Sequence, residues 1–318
     1  MLAIIGASGK IGSATLTALL ERGLIPPDQI VALTSSRPID SKWNVLSARG
    51  VQVRHATFDD PASMEKALDG ISKLFLVSSP RIALDYDPVV PAPPGHGREK
   101  DHFVALEAAQ KAGVKHVYYT SLAFANPSKS NVMTAHERTE ARLREMEKDG
   151  IFDVTILREG LYNESWPLYL GYYGVCGDDR TEIILSDEGN RKISWTPIAE
   201  LGVANATIIA APPSEWRSRC VYLSKRSNPR TMREVADIVA AAVRKEISVK
   251  TVTKEEHIKH YVEQRGKQEN AVRWWVATYD AIKEGECMID DPTFDEIMAK
   301  AGIEPTAIDT TIGNMLAK

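Results

Sequence analysis

The chain has 318 residues, 43% of them hydrophobic and 26% charged, which is the composition of a globular protein with one large or two modest domains. Its formal net charge of −4 argues against nucleic acid and anionic membranes as partners. The three cysteines, Cys176, Cys220 and Cys287, have no paired spacing, which argues against a disulfide framework or a zinc site and favours a reducing compartment.

The first twelve residues combine a short apolar run with three glycines, Gly6, Gly9 and Gly12, and a helical pattern follows them. Strand, glycine turn and helix in this order are typical of the dinucleotide-binding turn of a Rossmann unit. Gly9 removes a side chain where a pyrophosphate approaches, and Gly12 lets the helix sit close to the sheet. The residues predicted to bind a cofactor here are Gly6, Ser8, Gly9, Lys10, Ile11 and Gly12. The alternative is a glycine-rich turn without a ligand.

A second buried strand, residues 29–34, ends in Ser35, Ser36 and Arg37. At this position a Rossmann fold selects its cofactor, because an acidic residue binds the ribose hydroxyl of NAD whereas an arginine accommodates the 2′-phosphate of NADP. No Asp or Glu occurs between residues 30 and 39. The sequence therefore predicts NADP(H), with Ser35, Ser36 and Arg37 as ligands of the phosphate. A solvated loop arginine is the alternative.

The next two strands, residues 51–58 and 73–77, also end in polar side chains. Phe58 and Asp59 are candidates for contact with the adenine, although the acidic residues there fit a helix cap equally well. Ser78, Ser79 and Pro80 are predicted to border the nicotinamide ribose, since ligands bind at the carboxyl edge of a parallel sheet. Residues 81–98 are rich in proline and glycine, and they fit either a lid over the substrate or a floppy insertion.

Three further candidates follow along the chain. A strand over residues 114–121 ends at Thr120 and Ser121, which either touch the substrate or cap a turn. A helix over residues 135–148 places His136 on the face of Leu143, toward the sheet edge. Tyr162, in the loop after a sixth strand, either donates a hydrogen bond to the substrate or is a packed aromatic.

The order of elements predicts an α/β fold, a Rossmann doubly wound parallel sheet with a smaller, mostly helical C-terminal portion that binds substrate. We expect the NADP-binding domain at residues 1–160, with a further contribution from about 194–211. The substrate-binding portion is expected at residues 161–318. There the adjacent Trp274 and Trp275 fit a core better than a substrate wall.

Over nearly its full length the chain resembles the NmrA-like group of atypical short-chain dehydrogenases, and within it the NADPH-dependent quinone oxidoreductases. The resemblance rests on six stretches that match the family pattern. They are residues 6–12, 77–79, 112–122, 136–140, 157–164 and 291–296. It implies the fold and cofactor predicted above, a small-molecule substrate, and catalytic candidates His136, Tyr162, Thr120 and Ser121, of which Thr120 and His136 would also touch the cofactor.

Ordinary short-chain dehydrogenases use Tyr-x-x-x-Lys, with the tyrosine as proton donor. In this sequence His136 stands at the lysine position and Val132 at the tyrosine position. The resemblance to quinone reductases makes this departure reasonable, because hydride addition to a quinone gives a stabilised phenolate that water can protonate. The long 81–98 segment and the tryptophan-rich C-terminal part favour a larger or more apolar substrate than a small quinone.

The sequence thus predicts an NADP(H)-dependent oxidoreductase that transfers hydride to or from a conjugated, bulky apolar substrate, such as a quinone, an enone, an imine or a natural-product intermediate. One alternative is a natural-product enzyme that couples NADP redox chemistry to a ring closure. Another is a redox-sensing regulator that binds NADP and a protein partner without turnover. A homodimer is left open, no metal is expected, and the lack of a leader or a membrane span predicts a cytoplasmic protein.

Overall fold

The computed structural model describes residues 1–317, in which strands and helices alternate as the sequence predicts. The strands are β1 (Leu2–Ile5), β2 (Ile30–Thr34), β3 (Gln52–His55), β4 (Lys73–Leu76), β5 (His116–Leu122), β6 (Asp153–Glu159), β7 (Leu161–Tyr162), β8 (Glu182–Leu185), β9 (Trp195–Thr196), β10 (Arg219–Leu223) and β11 (Ser248–Thr251). The helices are α1 (Lys10–Glu21), α2 (Asn44–Ala48), α3 (Pro61–Ala67), α4 (Glu99–Lys111), α5 (Met133–Lys148), α6 (Trp166–Tyr169), α7 (Ile198–Ala210), α8 (Pro213–Trp216), α9 (Met232–Val243), α10 (Lys254–Lys259), α11 (Glu269–Lys283), α12 (Thr293–Ala301) and α13 (Ile308–Leu316).

Seven of these strands form one sheet in the order β10-β6-β5-β4-β1-β2-β3. Each neighbouring pair in it is parallel. The order changes direction between β1 and β4, so a crevice lies above the carboxyl ends of these two strands, where open α/β sheets bind their ligands. The predicted Rossmann doubly wound sheet is confirmed, with β10 added beside β6.

Strand β1 is apolar throughout because protein layers cover both of its faces. Leu2 and Ile4 pack into the layer formed with α1, α7 and α12, whereas Ala3 and Ile5 pack into the opposite layer, formed with α3, α4 and α5. Successive side chains of a strand point to opposite faces. A strand that is covered on both faces therefore needs an uninterrupted apolar run.

Several helix boundaries follow from local sequence. Thr231 and Thr253 begin α9 and α10 with capping boxes, in which each threonine and the glutamate three residues later satisfy each other's backbone N–H groups. Helix α5 begins at Met133, two residues before the predicted start. The preceding turn is already hydrogen-bonded, from the Met133 N–H to the Ser130 carbonyl.

Residues after β6 build a second core beside the sheet. Tyr169 is central to it and meets Trp195 and Trp275 edge to face, with ring centroids 5.3 and 5.0 Å apart. Helices α9, α11 and α13 supply much of the remaining apolar surface, and the two small sheets β7–β9 and β8–β11 complete it. This mostly helical portion agrees with the predicted fold.

Some elements that follow the first residues of this second core in the sequence pack on the seven-stranded sheet again. Helix α7 packs along α1 so closely that a Cβ on Gly202 would lie 2.7 Å from the Cβ of Ala14. Strand β10 and helix α12 also belong to the sheet and its covering layer, so the return extends beyond the predicted residues 194–211. Within residues 1–317, every helix is too short or too polar to cross a bilayer.

Candidate functional site

A cleft of about 530 Å³ opens above the carboxyl ends of β1 and β4. Its walls come from the turn after β1, the ends of β2 and β3, the segment after β4, and one residue of β7. The predicted site residues that line it are Gly6, Ser8, Gly9, Lys10, Ile11, Ser35, Phe58, Asp59, Ser78, Pro80 and Tyr162. The predicted site residues outside this lining are Gly12, Ser36, Arg37, Ser79, Thr120, Ser121 and His136.

The turn from Gly6 to Gly12 has the geometry of a phosphate-binding site. Gly6 has a φ of +77°, and its carbonyl accepts a hydrogen bond from the Gly9 N–H at 2.8 Å. Gly12 lies so close beneath this carbonyl that a Cβ would be 2.1 Å from the Gly6 oxygen. No side chain caps α1, and its first turn carries no acidic residue. Its free N–H groups and positive dipole end are therefore left for an anion in the cleft.

The loop after β2 offers one free cation. Arg37 is exposed, and its guanidinium pairs with no carboxylate of the described chain. Ser35 lines the cleft. The hydroxyl of Ser36 lies 2.8 Å from Thr34 Oγ1 and accepts a hydrogen bond from the Trp43 indole at 3.1 Å. Ser36 therefore holds the loop together, whereas Arg37 and Ser35 are available to a ligand.

Arg81 closes one side of the cleft, and sequence reasoning missed it. Its guanidinium pairs with Asp59 at 2.6 Å and lies 5.8 Å from the centre of the Phe58 ring. Its Nε donates a hydrogen bond at 2.7 Å to the buried Asp101. The pKa of Arg81 is raised, chiefly by its hydrogen bond to Asp101. The helix cap predicted as an alternative for the acidic residues after β3 is also present, since Asp60 caps α3 by accepting a hydrogen bond from the Ala62 N–H. The signal that could have found Arg81 is its position directly after Pro80 at a strand end.

The segment after β4 presents two residues to the cleft and is anchored by others. Ser78 and Pro80 form the wall. Ser79 is buried behind it, and its hydroxyl donates to Asp101 at 2.5 Å. Thr120 is also behind the wall, where its Oγ1 accepts from the Ser78 N–H at 3.0 Å. Ser79 and Thr120 thus position the wall rather than form its surface.

Ser121 belongs to a buried ion-pair network. Its hydroxyl donates to Glu140 at 2.7 Å. Glu140 also receives a bidentate pair from Arg158, with Nε and Nη2 at 3.0 and 2.6 Å from the two carboxylate oxygens. The Ser121 hydroxyl is therefore already used inside the protein, where it ties the end of β5 to α5.

His136 lies behind the cleft wall and is 2% exposed. Its Nδ1 is 2.9 Å from the phenol oxygen of Tyr119. Burial, with the nearby charge of Arg98, lowers the pKa of His136 well below its usual value, so the imidazole is neutral. Val132, which the sequence analysis assigns to the tyrosine position of the short-chain dehydrogenase motif, is the N-cap of α5 and is buried.

A second buried histidine connects this region to the cleft. The Ser79 N–H donates to His102 Nε2 at 2.9 Å, so Nε2 is unprotonated and Nδ1 carries the proton toward Thr139, 2.7 Å away. Burial lowers the pKa of His102 to about 3. Because Ser78 Oγ is 3.2 Å from His102 Nε2 and Tyr119 Oη is 3.4 Å from His102 Nδ1, polar contacts run from the cleft wall to His136.

Tyr162 lines the cleft on the side of β4 and β6, opposite the walls from β2 and β3. Its phenol donates to Glu159 at 2.6 Å. Sequence reasoning missed Glu159, which is fully buried. A carboxyl at the buried end of β6, directly before Gly160, was the available signal, because such a group must have a buried partner.

Residues 81–98 are packed between α5 and α11. Arg98 pairs with Asp85 at 2.7 Å, both of them buried, and donates to the Val132 carbonyl at 3.1 Å. Tyr86 contacts Trp274, with ring centroids 5.5 Å apart. Within the segment, Arg81 alone lines the cleft described here. Trp274 and Trp275 are each 5% exposed and belong to the C-terminal core, which agrees with the core alternative.

In residues 1–317, no group of three or more His, Cys, Asp or Glu side chains is arranged to hold a metal ion. His257 is buried among Tyr261 and Tyr279, with ring centroids 4.5 and 5.3 Å away. The cleft therefore offers backbone N–H groups, hydroxyls and arginines, a donor set that suits phosphates better than metals.

The profile of the NmrA-like family matches residues 1–298. The chain belongs to the NmrA-like family. The resemblance seen in the sequence motifs is thereby confirmed.

Two relatives and one solved structure that are similar to this NmrA-like protein are oxidoreductases or reductases. It is 28% identical over 307 residues to the NmrA-like family domain-containing oxidoreductase flvB of Aspergillus flavus, covering 95% of this chain and 91% of that protein. It is 30% identical over 217 residues to quinone oxidoreductase 2 of Escherichia coli, covering 68% of this chain and 66% of that protein.

The solved structure is that of Citrobacter sp. triphenylmethane reductase complexed with NADP(H). It superposes with a TM-score of 0.79 at 25% identity, covering 99% of this chain and 100% of that chain. The cofactor predicted from the sequence agrees with the one that this neighbour holds.

Proposed function

We propose that this protein is an NADP(H)-dependent oxidoreductase that transfers hydride to a conjugated, bulky apolar acceptor such as a quinone, an enone or an imine. The observation that carries the proposal is the uncapped N-terminus of α1 beneath the Gly6–Gly12 turn, at the floor of a cleft whose lining includes Ser35. The exposed Arg37 follows two residues after Ser35, outside that lining. Triphenylmethane reductase and quinone oxidoreductase 2 support the same class of reaction.

Each wall of the cleft would hold one part of the cofactor. The N–H groups of Gly9, Lys10 and Ile11 would bind the pyrophosphate, and Arg37 with Ser35 would bind the 2′-phosphate. Phe58 would pack against the adenine, with Arg81 and Asp59 closing that side. Ser78, Pro80 and Tyr162 would lie beside the nicotinamide end. When bound, the cofactor supplies the hydride, and the protein supplies orientation and exclusion of water.

A quinone is supported as one acceptor by Val132, the residue that the sequence analysis assigns to the motif position of the usual proton donor. Val132 is apolar and buried, so no phenol is placed there. A quinone accepts hydride to give a stabilised anion, whereas a simple ketone gives an alkoxide that needs a positioned acid. The neighbour triphenylmethane reductase, named for a bulky aromatic substrate, supports a large acceptor.

The proposal is tested by mixing the protein with NADPH and a panel of quinones, enones and imines, and following the loss of NADPH absorbance. We expect turnover with at least one quinone. Tight NADP(H) binding without turnover on any acceptor would favour the redox-sensing alternative. If no NADP(H) binds at all, the proposed function is wrong.

Replacing Arg37 tests the choice of cofactor. Because a charge-assisted forked contact contributes about 1.5–3 kcal/mol, Arg37→Ser should weaken NADPH binding by roughly 10- to 100-fold while leaving NADH binding unchanged. Titration with both cofactors measures this. Arg49→Ser is the matched control, since Arg49 is an exposed arginine at the C-terminal end of α2 rather than after a strand end that forms the cleft. An unchanged preference for NADPH over NADH in Arg37→Ser would show that Arg37 does not bind the 2′-phosphate.

A further inference from the structure

The buried carboxyl of Glu159 is connected to the cleft by one side chain. Strand β6 alternates its faces, so Arg158 points to Glu140 on α5, whereas Glu159 points to the opposite layer, toward α1 and α7. There Asn205 donates to Glu159 Oε1 at 2.8 Å and Tyr162 donates to Oε2 at 2.6 Å. Glu159 has no ion-pair partner among the described residues. Among the described residues, its only hydrogen bond toward the cleft is with the phenol of Tyr162.

We propose that Glu159 and Tyr162 form a proton-delivery pair, in which the phenol protonates the reduced acceptor and the buried carboxyl replaces the proton that the phenol gives up. The inference rests on the proposed function, because it needs a hydride acceptor beside Tyr162. Tyr162 is then a catalytic residue, and Glu159 is a positioning residue that acts through it.

The proton transfers balance. Before the step, Glu159 is a neutral carboxylic acid and the acceptor has become an anion after gaining hydride. The carboxylic O–H of Glu159 then donates to the Tyr162 oxygen, the reverse of the hydrogen bond made to the ionised carboxylate, and the Tyr162 O–H is directed to the acceptor. The Tyr162 O–H bond breaks toward the acceptor anion while the carboxylic O–H bond of Glu159 breaks toward the Tyr162 oxygen. Afterwards the acceptor is neutral, Tyr162 is again a phenol, and Glu159 is a carboxylate that later takes a proton from solvent.

The surroundings of Glu159 suit a group that stores a proton near neutral pH. Burial raises the pKa of Glu159 to about 7, against the hydrogen bonds from Tyr162 and Asn205, which lower it. On α1, the hydroxyl of Thr15 accepts a hydrogen bond from the same Asn205 amide. The titratable groups that act on Tyr162 besides Glu159 are Glu164 and Tyr169. Burial also raises the pKa of Tyr162, so the phenol keeps its proton unless an anion takes it.

The test compares the wild type with Glu159→Gln on two acceptors, a cyclic enone that needs a proton and a p-benzoquinone whose product anion water can protonate. For the wild type, kcat with the enone should fall by about tenfold for each pH unit above the pKa of Glu159. Glu159→Gln should lose at least about tenfold in kcat with the enone and lose this pH dependence, with an unchanged Kd for NADPH. Its kcat with the quinone should stay close to that of the wild type.

Two further variants separate proton delivery from a structural role. Tyr162→Phe keeps the carboxyl but breaks its connection to the cleft, so it should show the same selective loss on the enone. Asp187→Asn is the matched control, because Asp187 is another buried carboxyl, in the C-terminal portion and outside the cleft lining. It should keep the pH profile of the wild type. The infrared band of a protonated carboxylic acid, titrating near pH 7 and absent in Glu159→Gln, gives a readout that does not depend on activity.

The outcomes distinguish this inference from the proposed function. If the wild type neither binds nor oxidises NADPH, the proposed function fails. If the wild type turns over both acceptors and Glu159→Gln keeps its enone rate and pH profile, the proton-delivery pair is wrong while the proposed function stands. An equal loss on enone and quinone in a folded Glu159→Gln would likewise overturn the inference in favour of a packing role.

Discussion

Gly12→Ala is expected to abolish measurable binding of NADPH, with a loss of affinity of about 100-fold or more. The added Cβ would lie 2.1 Å from the carbonyl oxygen and 2.6 Å from the carbonyl carbon of Gly6. Both atoms are backbone, so neither can rotate away, and the turn or the start of α1 must move. Either movement misaligns the N–H groups that would bind the pyrophosphate. Isothermal titration with NADPH measures the loss.

The same variant should lower the free energy of unfolding by about 1–3 kcal/mol, the usual range for overpacking. Gly313→Ala is the control, since Gly313 is an exposed residue of α13 whose added Cβ would meet nothing within 4 Å. It should raise stability by up to about 1 kcal/mol, because alanine favours a helix over glycine, and it should leave NADPH binding unchanged. Wild-type affinity in Gly12→Ala would show that the turn does not hold the cofactor.

Arg158→Met is expected to lower the free energy of unfolding by about 3–5 kcal/mol, which urea denaturation at pH 7 would measure. The side chains of Arg158 and Glu140 are only 7% and 1% exposed. Removal of the guanidinium leaves a buried carboxylate whose remaining partners are the neutral Ser121 and Asn126 and the distant Arg144, at 4.0 Å. The cost comes mainly from this uncompensated charge rather than from the loss of an attraction.

Arg142→Met provides the matched comparison on α5. Its ion pair with Glu145 is 3.4 Å long, and the two side chains are 41% and 66% exposed, so water replaces the lost partner and the change should stay within about 0.5 kcal/mol. Adding Glu140→Gln to Arg158→Met should recover part of the lost stability, because it removes the buried charge. If Arg158→Met lowers the free energy of unfolding as little as Arg142→Met does, the Glu140 carboxylate is not left uncompensated, and the ion-pair network does not contribute substantially to stability.

The predictions for Gly12→Ala and Arg158→Met differ in how much of each could be made from the sequence alone. The importance of Gly12 follows from the spacing of three glycines between a strand and a helix, and the structure adds the distance that quantifies it. The pairing of Arg158 with Glu140 joins residues 18 positions apart on different elements. No periodicity in the sequence indicates which buried charge meets which.

The same contrast holds within the cleft. The carboxyl ends of parallel strands meet at one edge, so Ser35, Phe58 and Ser78 were predictable as lining residues from the ends of their strands. Ser79, Thr120 and Ser121 follow the same rule, yet their hydroxyls are used by Asp101, the Ser78 N–H and Glu140. Alternation along a strand end decides which hydroxyl faces the cleft, and one residue of register reverses the answer.

The sequence by itself determined the class of fold, the glycine turn between β1 and α1, and the family, because these depend on short-range patterns of apolar residues and glycines. Only the tertiary structure decided which polar side chains face the cleft and which satisfy one another behind it. Arg81 with Asp59 and Tyr162 with Glu159 are examples. The physical reason is that a buried polar group must find a partner, and that partner is set by how helices and strands pack in three dimensions rather than by neighbours along the chain.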